Sequence, residues 1–384
     1  MIYFDNSATT KPYPEVVDLV SRLMLEEFGN SSSLHRMGVR AERILENSRK
    51  TLAELIRAVP EELVFTSGGT EAVNMALKGS AEALKRTGRH ILTSPVEHDA
   101  SLESLKVLSG LGFEIESLQV DGYGRVSLED LKNKLRPDTI LVNIMAVNNE
   151  LGTIEPIEEA ALLIKACQPH ALFHVDAVQA LGKIPINLRH IKADLMSFSG
   201  HKIHGPKGVG MLYMRQGTRL HPLISGGGHE RKLRSGTVNV PGIAGFSLAA
   251  SMKNERMKED QKTCQAIKER LVQELCKALG IALRVNSPED GVENILNLSF
   301  KGMKSETLLH YLEMEEIYVS SGSACSSRKE TTSHVLKAAG IPPIWADSAL
   351  RLSFSGDNTE EEADKCVHVI QEALTKLPKS VRRG

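Results

Sequence analysis

Short apolar segments alternate with helical segments between residues 63 and 214, and this alternation constrains the fold more than any other feature of the sequence. The apolar segments are LVFT (63–66), HILTS (90–94), TILVNIMAV (139–147), ALFHVDAV (171–178), DLMSFS (194–199) and GVGMLYM (208–214). Several are apolar almost throughout, which is typical of strands buried on both faces of a mostly parallel sheet. The sequence therefore predicts an α/β architecture in which helices cover the sheet.

The remaining segments predict more helices and a second, smaller unit. Pro14 can open a helix, and residues 240–280 have a helical, highly charged pattern. Strand and helix patterns then recur in VENILNLSF (292–300), SETLLHYLEM (305–314), IYVS (317–320), ALRLSFS (349–355) and a last helix near 359–376. We predict a large domain of residues 13–255 and a small domain formed by residues 1–12 and 256–384.

The composition is that of a globular protein and disfavours several functions. Hydrophobic residues make up 41% and charged residues 25% of the 384 residues, so the chain should fold. The net charge of −1 and the 4% of aromatic residues disfavour dedicated nucleic-acid binding. The N-terminus MIYFDNSATT does not resemble a secretory signal, and no apolar run approaches the roughly 18 residues of a membrane span. We expect a soluble, cytoplasmic protein.

The segment SFSGHKIHGPKGVG (197–210) places Lys202 directly after a predicted buried strand, among glycines and polar groups. Such backbone can approach a ligand closely, so Lys202 is a candidate amine nucleophile; a surface lysine in a Gly/Pro loop is an equal alternative. A P-loop is disfavoured because Pro206 stands where that motif requires G-K-[ST]. His201 and His204 lack a third ligand, and we predict no metal site.

HVDAVQ (174–179) ends a predicted strand with Asp176, and ligands of open α/β folds bind at the carboxyl ends of strands. This carboxylate can pair with a protonated ring nitrogen, and Gln179 lies nearby in the sequence. The alternative is a helix N-cap, which is the commoner use of an Asp after a strand. The segment alone does not decide between the two.

TSGGTEAVNMAL (66–77) predicts a strand, a Gly-rich turn and a helix. The backbone N–H groups of the first helical turn and the hydroxyl of Thr70 can bind a phosphate, although such a turn is often only a turn. The motif is not G-x-G-x-x-G, which disfavours a dinucleotide-binding fold.

Three further polar residues are candidates, and the first two have a purely structural alternative as loop or turn residues. His98 in SPVEHDAS follows a strand, where an imidazole can stack on a flat cofactor or transfer protons near neutral pH. Asn149 in AVNNELG can donate to a phenolic oxygen. Arg351, on a late predicted strand, can bind a substrate carboxylate through two hydrogen bonds.

Cys325 lies in SSGSACSS (320–327), a run of small residues that cannot bury it under bulky neighbours. An exposed thiol in such a loop is suited to act as a thiolate nucleophile, and an incidental cysteine in a turn is the alternative. The five cysteines are odd in number and contain no C-x-x-C, so neither a disulfide framework nor a zinc site is expected.

Eight motifs occur in the order found in one enzyme family, namely DNSATT, SGGTEA, EHDA, VNNELG, DAVQ, SGHKIHGPKG, GGGHERKLRSGT and SSGSACSS. Together they resemble the NifS/IscS-type cysteine desulfurases, which are pyridoxal-phosphate enzymes of aminotransferase class V. The resemblance runs from residue 2 to about residue 375. It implies the aspartate aminotransferase-like fold type I, pyridoxal 5'-phosphate as cofactor and L-cysteine as substrate.

The resemblance also implies a role for each candidate. Lys202 would bind the cofactor covalently, Asp176 would keep its ring nitrogen protonated, and His98 would stack on the ring and transfer protons. Arg351 would bind the substrate carboxylate, and Cys325 would take the sulfur as a persulfide while L-alanine leaves. The other cofactor contacts would come from Asn149 and Gln179 at the phenolic oxygen, from Gly69, Thr70, Ser199 and His201 at the phosphate, and from Thr237 of a neighbouring subunit in a homodimer.

Three positions depart from the usual family pattern, namely Asp99, His204 and His229, and they leave the rate and pH dependence open. The sulfur acceptor is also open, because iron–sulfur clusters, tRNA thiolation and thiamine synthesis all need such a donor. A class V aminotransferase or selenocysteine lyase, for which Cys325 is dispensable, is the enzymatic alternative. A non-catalytic scaffold is the third hypothesis, but it would be expected to lose Lys202, Asp176 or Arg351, and all three are present.

Overall fold

The computed structural model describes residues 1–322 and 333–377. The strands are β1 (Ile2–Tyr3), β2 (Leu63–Thr66), β3 (His90–Thr93), β4 (Glu114–Ser117), β5 (Thr139–Met145), β6 (Leu172–Asp176), β7 (Leu195–Ser199), β8 (Gly210–Met214), β9 (Leu283–Val285), β10 (Ile295–Phe300), β11 (Ile317–Tyr318) and β12 (Ala349–Ser353). The α-helices are α1 (Pro14–Glu26), α2 (Arg36–Leu55), α3 (Gly69–Leu84), α4 (Asp99–Gly110), α5 (Leu128–Lys134), α6 (Ile157–Cys167), α7 (Val240–Leu279), α8 (Ser305–Met314), α9 (His334–Ala338), α10 (Pro343–Ala346) and α11 (Glu360–Lys376).

The central sheet has seven strands in the order β2-β8-β7-β6-β5-β3-β4. All neighbouring strands are parallel except that β8 runs antiparallel to both β2 and β7. Parallel strands end at the same edge, so the loops that follow β5, β6 and β7 lie side by side. This arrangement confirms the predicted α/β architecture with a mostly parallel sheet.

Helices cover both faces of the sheet, which explains why its strands are apolar almost throughout. Adjacent residues of one strand point to opposite faces. Ile91 and Leu141 pack in one core with residues of α3 and α4, whereas Leu92 and Val142 pack in another core with residues of α2 and α6. The strands therefore bury side chains on both faces.

A separate hydrophobic core lies under a smaller antiparallel sheet in the order β12-β10-β9, next to the parallel pair β1 and β11. The long helix α7 connects this core to the central sheet. Its Phe246 packs in the core that contains α2 and α6, and its Leu271 packs in the core under the smaller sheet. The predicted domain division at residue 255 falls inside this continuous helix and stays a prediction.

In the part of the chain that the structure describes, no helix is long and apolar enough to span a membrane.

Candidate active site

A cavity of about 210 Å³ opens at the carboxyl ends of the parallel strands. The predicted site residues that line it are Gly69, Thr70, His98, Asn149, Asp176, Gln179, Ser199, His201, Lys202 and Arg351. Ser7 and Ala8, from the N-terminal segment, complete the wall. The structure therefore gathers in one place residues that the sequence spreads over more than three quarters of the chain.

Lys202 projects from a single 3₁₀ turn, Gly200–Lys202, which directly follows β7. Its Nζ donates hydrogen bonds to the carbonyl oxygens of Ser7 at 2.6 Å and Ala8 at 2.9 Å. These contacts place the amine at the cavity wall and hold it between the end of the central sheet and the N-terminal segment. The alternative of a surface lysine in a loop is wrong.

Asp176 is the last residue of β6, at the middle of the central sheet, and its side chain is buried. Burial raises the pKa of Asp176, whereas the neighbouring His98 and Lys202 lower it. Its Oδ1 accepts a hydrogen bond from the backbone N–H of Val178 at 3.0 Å, but a turn and not an α-helix follows. The N-cap alternative is therefore wrong, and a buried carboxylate at the cavity floor is free to pair with a cationic ligand group.

His98 is the N-cap residue of α4, and its Nδ1 accepts a hydrogen bond from the backbone N–H of Ala100 at 3.1 Å. The neutral imidazole therefore carries its proton on Nε2. Burial lowers the pKa of His98, and the negative charge of Asp176 opposes this shift. The ring is consequently neutral at physiological pH and able to exchange a proton through Nε2.

The side of the cavity nearest α3 has the features of an anion site. Gly69 and Thr70 form the first turn of this helix, where N–H groups lack helical partners. A Cβ at Gly69 would lie 2.7 Å from the side chain of Val178 and 3.4 Å from that of Ser199, so only glycine allows this close approach. The Ser199 hydroxyl oxygen is buried and has no hydrogen-bond partner among the described residues.

Arg351 enters the cavity from β12 of the smaller sheet and is almost fully buried. One terminal nitrogen donates to Asp5 Oδ1 at 2.7 Å, and the other donates to the carbonyl oxygen of Asn149 at 3.1 Å. Its buried Nε has no partner within residues 1–322 and 333–377. A guanidinium with an unused N–H in a cavity is suited to bind a carboxylate.

The comparison with known families decides the identity of this fold. Residues 2–366 match the aminotransferase class-V family. The chain belongs to this family. The family predicted from the eight motifs is thereby confirmed.

Relatives of this class-V family member extend over nearly its whole length. "Cysteine desulfurase IscS" of Methanosarcina thermophila is 43% identical over 376 residues, covering 98% of this chain and 92% of the relative. A solved structure described as a NifS-like protein is 41% identical with a TM-score of 0.93, covering 98% of this chain and all of the other. The solved structure "SspA in complex with cysteine" is 31% identical with a TM-score of 0.81, covering 92% and 99% of the two chains. These structures confirm the predicted fold type.

Two predicted site residues of this class-V chain lie elsewhere. Thr237 is exposed, on the segment before α7, and it does not line the cavity of its own chain. Cys325 lies outside the described residues. Among the other cysteines, Cys264 and Cys366 are buried, and burial raises the pKa of each thiol to about 12, so neither is a reactive nucleophile.

Sequence reasoning missed three residues at the site of this family member. Asp5 and Ser7 contact Arg351 and Lys202, and Lys183 donates to the side chain of Gln179. The DNSATT motif contains the first two, but no local pattern places the N-terminal segment beside residues that follow some 200 to 350 positions later. The only sequence signal for Lys183 was its position four residues after Gln179.

His204 and His229, two of the residues that depart from the family pattern, each contact a neighbouring group. The ring of His204 stacks on Tyr13 with the ring centroids 4.4 Å apart, and burial lowers its pKa to about 4. His229 Nδ1 accepts a long hydrogen bond of 3.4 Å from the backbone N–H of Gly236. Neither ring lines the cavity, so both residues act at a distance from it.

Proposed function

We propose that this protein is a pyridoxal-phosphate-dependent cysteine desulfurase, which converts L-cysteine into L-alanine and retains the sulfur as a persulfide on Cys325. The observation that carries the proposal is one cavity lined by the Lys202 amine, the buried Asp176 carboxylate and the Arg351 guanidinium. Relatives named cysteine desulfurases support it over nearly the whole chain. The sulfur would pass to an acceptor protein for iron–sulfur cluster assembly, tRNA thiolation or thiamine synthesis.

The polar groups of the cavity fit pyridoxal phosphate. The unpartnered Ser199 hydroxyl and the first turn of α3, where Gly69 lets the backbone pack closely against Val178, would hold the phosphate. Asp176, which lines the same cavity, would hold the ring nitrogen, because a cationic partner stabilises a buried carboxylate. The cofactor would thus give a partner to the unpartnered Ser199 hydroxyl and a cationic partner to the Asp176 carboxylate.

Each side chain has a distinct task in this proposal. When bound, pyridoxal phosphate supplies an electron-withdrawing ring that weakens bonds of an amino-acid substrate. Lys202 binds the cofactor through Nζ and moves a proton at that atom, and Asp176 keeps the ring nitrogen protonated. His98 holds or releases a proton at Nε2, because its lowered pKa leaves the imidazole neutral. Arg351 orients the substrate carboxylate.

Cys325 completes the sulfur transfer. Its thiolate would attack the substrate sulfur, so that a sulfur–sulfur bond forms while the carbon–sulfur bond of the substrate breaks. The carbon skeleton takes a proton and leaves as alanine. A nucleophile with this task must first approach the cavity and later present its sulfur to another protein.

The test is to incubate the purified holoenzyme with L-cysteine, quantify alanine, and locate the persulfide by mass spectrometry. We expect alanine formation and a persulfide on Cys325, loss of both in Lys202→Ala, and loss of persulfide in Cys325→Ala. Cys276→Ala, which removes an exposed thiol outside the proposed site, is the control and should retain activity. Persulfide or sulfide formation by Cys325→Ala at the wild-type rate would contradict the proposal and favour a selenocysteine lyase or aminotransferase.

We also propose that the enzyme is a homodimer in which Thr237 of each subunit completes the phosphate site of the other. Thr237 supports this proposal because it is exposed and lies outside its own cavity. The segment that precedes Thr237 is held by its own subunit, because the Glu230 carboxylate accepts hydrogen bonds from Arg49 and from the Phe65 N–H.

A further inference from the structure

Lys183 is a buried lysine that the proposed mechanism does not use. It lies in the turn after Asp176 and is only 8% exposed. Its Nζ donates a hydrogen bond to Oε1 of Gln179, and it forms no ion pair in the described ranges of the chain. A buried amine without a carboxylate partner is energetically costly, so the hydrogen bond to Gln179 is needed to satisfy it.

The amide of Gln179 is oriented by this contact. Oε1 accepts from the Lys183 amine, and the Ser7 carbonyl oxygen, which can only accept, requires the amide nitrogen on the other side. Nε2 of Gln179 donates to the Ser7 carbonyl oxygen at 2.9 Å, and Lys202 Nζ donates to the same oxygen at 2.6 Å. The Gln179 N–H groups are thereby next to the amine that would bind the cofactor.

The orientation matters because the two ends of an amide have opposite polarity but nearly the same shape. An N–H group facing an oxygen anion stabilises it, whereas a carbonyl oxygen in the same place repels it. Two neighbours of Gln179 favour one orientation, because the Ser7 carbonyl oxygen accepts from Nε2 and Lys183 donates to Oε1. Without Lys183, Oε1 loses its donor, and one of the two contacts that keep the N–H groups toward the phenolic oxygen is gone.

We propose that Lys183 is a positioning residue, which fixes the Gln179 amide with its N–H groups toward the cofactor and so stabilises the cofactor's phenolic oxygen as an anion. This inference rests on the proposed cofactor and deepens the role of Gln179. The charged groups that face Lys183 are Lys202, Lys253 and Arg351, together with the thiol of Cys264. Burial, followed by the charge of Lys202, lowers the pKa of Lys183. The amine N–H groups donate to Oε1 in either protonation state, and the Ser7 carbonyl keeps Nε2 on the opposite side.

The first experiment compares Lys183→Met with Lys268→Met in the holoenzyme. Lys268 is the matched control, because it is equally buried and donates to the Val292 carbonyl at 3.1 Å without lining the cavity. Two quantities are measured, namely the affinity of the apoprotein for pyridoxal phosphate and the pH midpoint of the bound cofactor's visible absorption band.

We expect Lys183→Met to weaken cofactor affinity about 5-fold to 10-fold, as for one lost hydrogen bond, and to raise the pH midpoint by about one unit. The midpoint rises because a phenolic oxygen that loses its donor is more basic. Lys268→Met should match the wild type in both measurements. Lys183→Arg, which keeps a donor, should restore the midpoint.

A double-mutant cycle separates positioning from direct charge effects. In a Gln179→Leu background, Lys183→Met should shift the midpoint no further, since the group through which it acts is gone. A full additional shift in that background, or wild-type values in Lys183→Met itself, would overturn the inference. If Lys183→Met does not fold by circular dichroism, Lys183→Gln replaces it, because an amide that both donates and accepts no longer fixes Gln179.

Measurements on the wild-type protein separate a failure of the proposed function from a failure of the role of Lys183. A wild-type protein that binds no pyridoxal phosphate would refute the proposed function. A wild-type protein that binds it and forms alanine from L-cysteine, together with an unchanged Lys183→Met, would refute only the role of Lys183.

Discussion

Glu155 shows how strongly burial changes the chemistry of a single side chain in this protein. It is 2% exposed, its Oε2 accepts a hydrogen bond from the Val126 N–H at 2.9 Å, and its Oε1 has no partner among the described residues. Burial raises the pKa of Glu155 from 4.5 to about 8. The carboxyl group is therefore protonated at neutral pH in the folded state.

Glu155→Gln should stabilise the protein increasingly as the pH rises. Because the folded-state pKa is raised, the native state binds the extra proton, and wild-type stability falls between about pH 4.5 and pH 8. Gln does not titrate, so its advantage over Glu should be small near pH 5 and on the order of 3 kcal/mol near pH 7.5.

Urea unfolding of both proteins at the two pH values measures this difference. The exposed, mid-helix change Glu259→Gln is the control and should show a small effect at either pH. An advantage of Glu155→Gln that is the same at both pH values would show that the Glu155 carboxyl is ionised in the native protein.

The candidate residues show what sequence could and could not predict at this scale. Lys202 and Asp176 follow strands, and their positions at strand ends were predictable from local patterns. Asp5 and Ser7 were not, because their contacts depend on pairing with strands at the other end of the chain. Lys183 was not, because a lysine in a turn is normally exposed, and only the tertiary structure buries this one.

Among the elements, the short helix α9 connects the smaller unit to the loops around the cavity. The hydroxyl of Ser333 caps this helix by accepting from the Leu336 N–H at 3.3 Å, and it donates to Oε2 of the buried Glu150 at 2.6 Å. His334 Nε2 donates to the carbonyl oxygen of Glu97 at 2.9 Å. Glu150 and Glu97 directly adjoin Asn149 and His98 in the sequence, so α9 supports two segments of the site.

Ser333→Ala should destabilise the protein by about 1–3 kcal/mol, because it removes a helix cap and leaves a buried carboxyl group without its donor. Ser333→Thr keeps the hydroxyl and should restore most of the loss. Thermal unfolding of the three proteins gives the comparison. A Ser333→Ala melting temperature equal to that of the wild type would mean that water replaces the hydroxyl at Glu150.

Most elements were predictable because each one has its own hydrophobic pattern. The predicted helix 305–314 coincides with α8, and the predicted helical stretch 240–280 corresponds to α7. The strand predicted for 139–147 ends at Met145, because the chain then turns and Ala146 donates to the carbonyl of Asp176. The two-residue strand β1 and the three-residue β9 were missed, since so few residues show no periodicity.

At the scale of the whole molecule, a buried ion pair fixes the segment that presents Thr237. Glu230, Arg231 and Lys232 all have left-handed backbone, with φ of 44°, 55° and 67°, which is unfavourable for residues other than glycine. The Glu230 carboxylate accepts two hydrogen bonds from Arg49 and one from the Phe65 N–H. Contacts with α2 and β2 therefore hold this strained turn in place.

The proposed dimer predicts that a chain with weakened cofactor binding and an inactive chain can complement each other when the cofactor is limiting. Thr237→Val should weaken cofactor affinity about 5-fold to 10-fold through the loss of one hydrogen bond to an anion. Mixed with Lys202→Ala, it should recover activity, because one site of the heterodimer combines an intact Lys202 with the partner's intact Thr237.

Subunits are exchanged by mild denaturation and refolding, and alanine formation is compared with the sum of the separate variants. Thr375→Val, an exposed change on α11, is the control and should behave as wild type without a partner. Activity of the mixture no greater than that sum, or a monomer in analytical ultracentrifugation, would contradict the dimer.

The closure of the N-terminal segment onto the end of the chain has a consequence for biosynthesis. β1 pairs with β11, and the Asp5 side chain contacts Arg351, 346 positions away. Ser7 and Ala8 line the cavity, but β11 and Arg351, which contact this segment, are synthesised much later. A nascent chain on the ribosome therefore cannot complete the pocket until Arg351 has emerged, which delays cofactor capture until that point of synthesis.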